Sequence, residues 1–292
     1  MSERIFVIGA GKVGRGLALA FRNAHLDVLG VHGRTAREGA TSSGAFPPSL
    51  GEANVVIVAV SDPSLDDVLA QLATARSQHK FGHGTVVLYT SGGRTPQTLE
   101  ALRTAGVPVG TFHPLAPFPT SERGAAALHD GWVGIDGDAT ACATARRLAA
   151  AVGARTVNIP TNAKSAYHAA AVLASNFPLV LAALAARLLT QRGVEEHTAN
   201  QVVAQLMTAA VKNLEHGAPM DVLTGPAVRG DETTIAAHRA AIEKDPVTVA
   251  VYDALTRATA ALKGESASAS GAGLLDHANA GGRREAKGGT GK

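Results

Sequence analysis

From the N-terminus to about residue 160, short continuous apolar runs alternate with stretches whose apolar residues recur at helical spacing. The runs are Ile5 to Ile8, Val28 to Val31, Asn54 to Val60, Thr85 to Tyr89, Val109 to Phe112, Trp132 to Ile135 and Arg155 to Ile159. Runs of this kind, bounded by turn residues, predict strands buried on both faces of a parallel sheet. Helical patterns fill the gaps: one through Leu17, Ala20 and Phe21, one from Ser61-Asp62-Pro63 to about Ser77, one opened by Thr95-Pro96, and one from Ala139 to Val152. Asp62 is expected to cap its helix, with Pro63 at the first helical position, and Thr95-Pro96 repeats that signal. Thr41 to Pro48 reads as a turn-rich loop.

The pattern changes at Pro160. From Asn162 to Lys263 no strand is convincing, and helices are predicted over Ala163 to about Gln191, Glu196 to His216, Thr233 to Glu243 and Pro246 to Leu262. Pro178 should kink the first of these. Gly264 to Lys292 is rich in Gly, Ala and Ser, too poor in large apolar groups to fold, and is expected to be a disordered tail. The expected division is therefore 1–160, 161–263 and 264–292. The expected class is α/β: a Rossmann-type, mostly parallel sheet with helices on both faces, followed by an all-helical C-terminal domain.

The first strand-to-helix turn carries Gly9, Ala10, Gly11, Lys12, Val13 and Gly14, a G-x-G-x-x-G inside a βαβ unit. Gly9 permits the tight turn, Gly11 lets a pyrophosphate approach the backbone, and Gly14 lets helix and strand pack closely. The helix N-terminus offers free N–H groups and a partial positive charge to the phosphates. At the end of the second strand an NAD site usually places a carboxylate. Here the chain reads His32-Gly33-Arg34-Thr35, with Arg37 beyond and Glu38 as the nearest acid. A guanidinium forks onto a phosphate, so the expected cofactor is NADP(H), read by Arg34 with Thr35 and Arg37 assisting.

Ligands of open α/β sheets bind beyond the carboxyl ends of the strands. That rule gathers Ser61, Thr90, Ser91 and His113. Ser61 and Ser91 are expected along the ribose and nicotinamide path as a set at one edge, although each alone is more often a turn or cap serine. On the helix from Ala163, Lys164, His168, Ala171 and Ser175 follow i, i+4, i+7 and i+11, with Tyr167 flanking and Asn176 one step round. The helix is otherwise apolar around much of its circumference and is expected to be central and covered. Reduction by a nicotinamide needs a proton or cation where negative charge grows. Lys164 is the expected general acid, His168 the alternative acid or relay, and Ser175 and Asn176 the positioning groups. His113 either reaches the same space as a substrate-binding residue or packs in a loop. In Leu223 to Asp231, Arg229 either forks onto a substrate carboxylate or pairs with an acid such as Asp231, which is placed to cap the next helix.

The chain has 292 residues, 46% of them hydrophobic, and a formal charge of +3. That charge is too small and scattered for nucleic-acid binding. No apolar run is read as long enough to span a bilayer, and the chain enters a strand at once, so no signal peptide is expected. The single cysteine, Cys142, excludes an intrachain disulfide and suits a reducing cytoplasm. No metal is expected: His79 and His83 are four apart but lie in a glycine-containing connection. A G-x-S-x-G elbow is absent.

The stretches Gly9 to Gly14, His113 to Phe118, Lys164 to Asn176 and Leu223 to Asp231 resemble a bacterial family of predicted oxidoreductases in which a Rossmann-like domain is joined to a helical domain of unknown function. The resemblance covers Arg4 to about Leu262. The wider group is similar to ketopantoate reductase, pyrroline-5-carboxylate reductase, deazaflavin-dependent NADP reductase and the β-hydroxyacid dehydrogenases. In the last, a lysine and an asparagine sit one turn apart on the helix opening the second domain; Lys164 matches the lysine, and His168 stands where the asparagine would be. The resemblance implies a branched 2-oxo acid as substrate class and a homodimer through the helical domain. The expectation is an NADP(H)-dependent oxidoreductase, ketopantoate reductase-like, acting on a small carbonyl compound, with no nucleic-acid or membrane partner. A pyrroline-type imine reductase and a non-catalytic NADP-binding sensor or partner protein are the alternatives.

Overall fold

The computed structural model describes residues 3–280, except His83 and Gln97, with side chains described as far as Gly264. It contains two compact units, Met1–Phe177 and Pro178–Lys292.

The first unit is built on an eight-stranded sheet of order β3-β2-β1-β4-β5-β6-β7-β8. Its strands are β1 (Arg4–Ile8), β2 (Asp27–Gly33), β3 (Ser42–Ser43), β4 (Val55–Val58), β5 (Val86–Tyr89), β6 (Val109–Pro114), β7 (Trp132–Gly137) and β8 (Arg155–Asn158). Its helices are α1 (Lys12–Asn23), α2 (Asp62–Ser77), α3 (Leu99–Thr104), α4 (Ser121–Leu128) and α5 (Ala139–Ala151). The period-two alternation of strands divides β1 between two cores. Ile5 and Val7 join Leu17, Phe21, Leu128 and Leu148 on the face covered by α1, α4 and α5. Phe6 and Ile8 join Leu65, Leu69, Leu72 and Leu102 on the face covered by α2 and α3. Burial on both faces explains the unbroken apolar runs.

One pairing departs from the parallel pattern. β6 and β7 are antiparallel, with Pro114 opposite Val133 and Gly110 opposite Gly137. The intervening α4 was not legible in the apolar pattern, and it does not carry the chain back across the sheet. It packs on α1 instead: a Cβ at Gly16 would lie 2.7 Å from Phe118 Cε1 and 2.8 Å from the Ser121 carbonyl oxygen. β7 therefore starts where β6 ends. Smaller corrections concern helix starts. Ser61, not Asp62, is the N-cap of α2, without a side-chain cap bond. α3 begins at Leu99 after Thr98, so Thr95-Pro96 opens no helix.

The helix α6 (Lys164–Thr190) starts in the first unit and ends in the second. Its first turns are tied to the sheet by Lys164 and Tyr167, which is why the units part at Phe177 rather than near residue 160. The second unit continues with α7 (Glu196–Lys212), α8 (Pro219–Val222), α9 (Pro226–Arg229), α10 (Glu232–Ile242) and α11 (Pro246–Ala280). Glu195 caps α7 by accepting the N–H groups of His197 and Thr198, and Asp231 caps α10 by accepting that of Thr234 at 3.0 Å. The core here is small: Ala186, Ala199 and Val203, with Leu189 and Met207 against them.

Three expectations about the helices fail. α11 runs to Ala280, where a disordered tail from residue 264 was expected; the alanines favour the helix and no proline stops it. Residues 281–292 lie outside the described residues. α6 is only partly covered: Lys164 and Ala186 are buried, but Leu173, Phe177, Leu179 and Val180 are all exposed. The segment Thr161–Thr190, which contains an 18-residue stretch of mean hydropathy 1.9, is long and apolar enough to cross a membrane by length and composition. The apolar run was underestimated because Lys164 and His168 interrupt its first turns.

Candidate functional site

The turn from β1 into α1 has the geometry its glycines demand. Gly9 sits at φ +117°, and a Cβ there would collide with the Ala59 carbonyl oxygen of the neighbouring strand end. A Cβ on Gly14 would collide with the Gly9 carbonyl oxygen. Those two glycines hold the fold. Gly11 differs: its φ of −80° suits any residue, and a Cβ would meet nothing within 4 Å. Gly11 is also the N-cap of α1, with no side chain closing the helix end. The first-turn N–H groups therefore face open space.

That space is a cavity of about 520 Å³ whose lining includes Gly11, Lys12, Val13, Ser61, Thr90 and His113. The strand-end rule thus brings Ser61 and His113 beside the glycine turn. Ala10 is buried in the core under the turn. Ser91 is placed otherwise. It is buried and its Oγ accepts the N–H of Arg94 at 3.3 Å, so it fixes a turn. At the end of β2, Arg34, Thr35 and Arg37 are all exposed. His32 just before them is buried, bonded through Nδ1 to Ser42 Oγ at 3.0 Å, and burial lowers its pKa.

His113 anchors a cluster. Its Nδ1 is 2.7 Å from Tyr167 Oη, and its ring meets that of His168 edge-on with centroids 6.0 Å apart. Two glycines make the room. A Cβ on Gly92 would lie 2.5 Å from the His113 ring, and one on Gly93 3.1 Å from that of His168. Burial, then the neighbouring His168, push His113 down to about 4, against an opposing pull from Asp62. Burial pushes Tyr167 up to about 12. At neutral pH the pair is an uncharged imidazole bonded to an intact phenol. In sequence Tyr167 only flanks the polar stripe; its position one residue before His168 and the Gly92-Gly93 pair are the signals of its role.

Lys164 is not where a substrate-facing acid would be. It is 3% exposed, and its Nζ donates to Tyr89 Oη at 2.6 Å and Thr111 Oγ1 at 2.8 Å, with Asp136 Oδ2 at 3.5 Å. Its ammonium also lies 4.9 Å from the Tyr89 ring centroid. These partners use its donors and leave the amine buried between the sheet and α6. Ser175 and Asn176 are exposed and satisfied locally: Ser175 Oγ bonds the Ala171 carbonyl at 2.7 Å and Asn176 Oδ1 at 3.0 Å. Arg229 is exposed at the end of α9 in the helical unit; Thr234 chiefly, and then the Arg229 charge, hold Asp231 below the usual carboxylate range. Burial raises the Cys142 thiol, which suits an inert role. His83, read with His79, lies outside the described residues.

Residues 2–114 match the family model of a Rossmann-like domain, and residues 132–259 match that of a domain of unknown function, DUF2520. The chain is a Rossmann-like domain joined to a DUF2520 domain. The DUF2520 match starts in β7, so that domain supplies the last two strands of the sheet as well as helices. Tyr167 and His168 therefore come from the DUF2520 part, and His113 from the Rossmann-like part.

A protein from Bacteroides fragilis described as an NADP oxidoreductase is 22% identical over 89% of this chain and 98% of its own, with a TM-score of 0.72. Protein TM1727 from Thermotoga maritima is 23% identical, over 90% of this chain and 99% of its own, with a TM-score of 0.64. The NADP-bound pyrroline carboxylate reductase of Plasmodium falciparum is 13% identical, over 89% and 98%, with a TM-score of 0.60. At these identities the likeness establishes the fold. Comparison with curated proteins returned no match.

Proposed function

We propose that the chain is an NADP(H)-dependent oxidoreductase that reduces a small carbonyl compound, with a 2-oxo acid as the favoured class. The observation that carries this reading is the β1–α1 turn. Gly9 and Gly14 are sterically obligatory there, Gly11 is not, and Gly11 borders the cavity. A glycine that packing does not need, at an uncapped helix N-terminus, fits a diphosphate against the main chain. Arg34, Thr35 and Arg37, exposed at the end of β2 with no carboxylate nearer than Glu38, fit a 2′-phosphate. NADPH, when bound, supplies a hydride to an electrophilic carbon.

The protein's own groups do the rest. The α1 N–H groups hold the diphosphate and orient the nucleotide. The His113–Tyr167 pair, uncharged at neutral pH, donates a hydrogen bond to the substrate atom on which negative charge develops. An alkoxide is a stronger base than a phenolate, so a proton held at Tyr167 Oη passes downhill towards it along the bond to His113. Buried Lys164 donates to Tyr89 and Thr111 and so orders both.

A pyrroline-type imine reductase is the second reading, supported by the fold shared with the NADP-bound pyrroline carboxylate reductase. The test is NADPH oxidation by the full chain with panels of 2-oxo acids and cyclic imines. Turnover of 2-oxo acids supports the first reading and turnover of imines alone the second. NADPH binding without turnover of either would leave a nucleotide-binding protein with no reductase activity.

In this reading the helical unit pairs with a second copy. Leu179, Val180, Leu206, Val211, Leu214 and Leu255 are large apolar residues exposed on that unit, an arrangement that marks association surfaces. A cytoplasmic location accords with the single cysteine.

A further inference from the structure

Arg15 follows the last glycine of the motif and has no part in it, yet its side chain is held in place. The stem crosses the loop between β2 and β3: a Cβ on Gly39 would fall 2.5 Å from Arg15 Cδ. Nη1 reaches the Glu38 carbonyl oxygen only at 3.5 Å, and Nε is buried with no hydrogen-bond partner. Among the described residues Arg15 makes no ion pair. Glu122 is lowered first by its own backbone N–H and by Thr120, with Arg15 a minor cause. A buried donor without an acceptor destabilises a fold, so this guanidinium is poised for an anion that the chain itself does not provide.

The loop under Arg15 is the one that carries Arg34, Thr35 and Arg37, with the Glu38 carboxylate exposed among them. We propose that Arg15 is a third guanidinium of the 2′-phosphate site and its chief specificity determinant. This rests on the reading of the β1–α1 turn as a dinucleotide seat. Arg34 and Arg37 are solvated and must be ordered on binding. Arg15 is already ordered by its packing on Gly39, so less rotamer freedom is lost when it engages a phosphomonoester. Its place on the first turns of α1 sets it between the diphosphate seat and the ribose-reading loop.

The test is calorimetric titration of 2′,5′-ADP and 5′-AMP into the full chain and into Arg15→Gln and Arg15→Lys. Arg15→Gln should weaken 2′,5′-ADP by about tenfold or more while leaving 5′-AMP within about twofold, the loss of one charge-assisted fork. Arg15→Lys should fall between, because it keeps the charge and loses the fork. Unchanged 5′-AMP affinity certifies that the variants fold. If the wild type prefers 2′,5′-ADP and Arg15→Gln keeps that preference, the proposal is overturned. An equal loss for both ligands also overturns it, since Arg15 would then only shape the turn. A wild type that binds neither ligand removes the dinucleotide reading itself.

Discussion

Alanine substitutions at Gly11 and Gly14 separate the binding role of the turn from its folding role. Gly11 has a φ of −80° and nothing within 4 Å of a new Cβ. Gly11→Ala should therefore leave stability unchanged or raise it by up to about 1 kcal/mol through the unfolded chain. Its methyl group would stand in the open space before the α1 N-terminus. Two charge-assisted bonds from main-chain N–H groups to a diphosphate, at about 1.5–3 kcal/mol each, amount to about 3–6 kcal/mol. Nucleotide affinity should then drop by at least about 100-fold. Gly14→Ala should do the reverse. Its Cβ would overlap the Gly9 carbonyl oxygen and press the Ala59 methyl at 3.3 Å, an overpacking penalty of about 1–3 kcal/mol or more. Urea denaturation and NADPH calorimetry on the two variants measure both axes. A Gly11→Ala protein that binds NADPH like the wild type would refute the reasoning, as would a Gly14→Ala protein of undiminished stability.

Lys164→Met should destabilise the fold by about 3 kcal/mol, because Tyr89, Thr111 and Asp136 lose their shared donor; wild-type stability with abolished turnover would return Lys164 to the chemistry. Burial, then the neighbouring His168, hold His113 at about 4 in the folded protein, against an ordinary value of 6.5. The unfolded chain thus binds the extra proton first, and stability should fall by about 3 kcal/mol as pH drops from 6.5 to about 4. Urea midpoints across that range should show a shallower loss for His113→Gln; an identical loss would refute the assignment. Arg34→Ala should weaken NADPH far more than NADH in calorimetry, and a loss common to both would argue against a phosphate contact. Leu206→Glu should convert a dimer to a monomer in sedimentation; a monomeric wild type, or one recovered only with detergent, would contradict pairing through the helical unit.

The β1–α1 turn was legible because its causes are local. The strand, the glycine spacing and the helix all lie in one short stretch, and Gly9 and Gly14 answer to atoms a few residues away or on the next strand. The Asp231 cap was legible for the same reason. What failed was set by residues distant in sequence. Lys164 was placed correctly on a helix face, but its partners Tyr89, Thr111 and Asp136 come from three different strands. Ser175 lies on the same face, yet an i−4 carbonyl satisfies it. Periodicity also reports how apolar a face is and not what covers it, which is why α6 was expected to be central. The antiparallel β7 depends on α4 docking against Gly16 through Phe118 and Ser121, a contact that no local pattern announces.

Amide hydrogen exchange on the full chain, with and without NADPH, tests the dinucleotide seat most directly. The account predicts new protection at the amides of Gly11 to Arg15 and Arg34 to Arg37, stronger with NADPH than with NADH at the second stretch. NADPH that leaves both stretches unprotected, or protects only the helical unit, would contradict it.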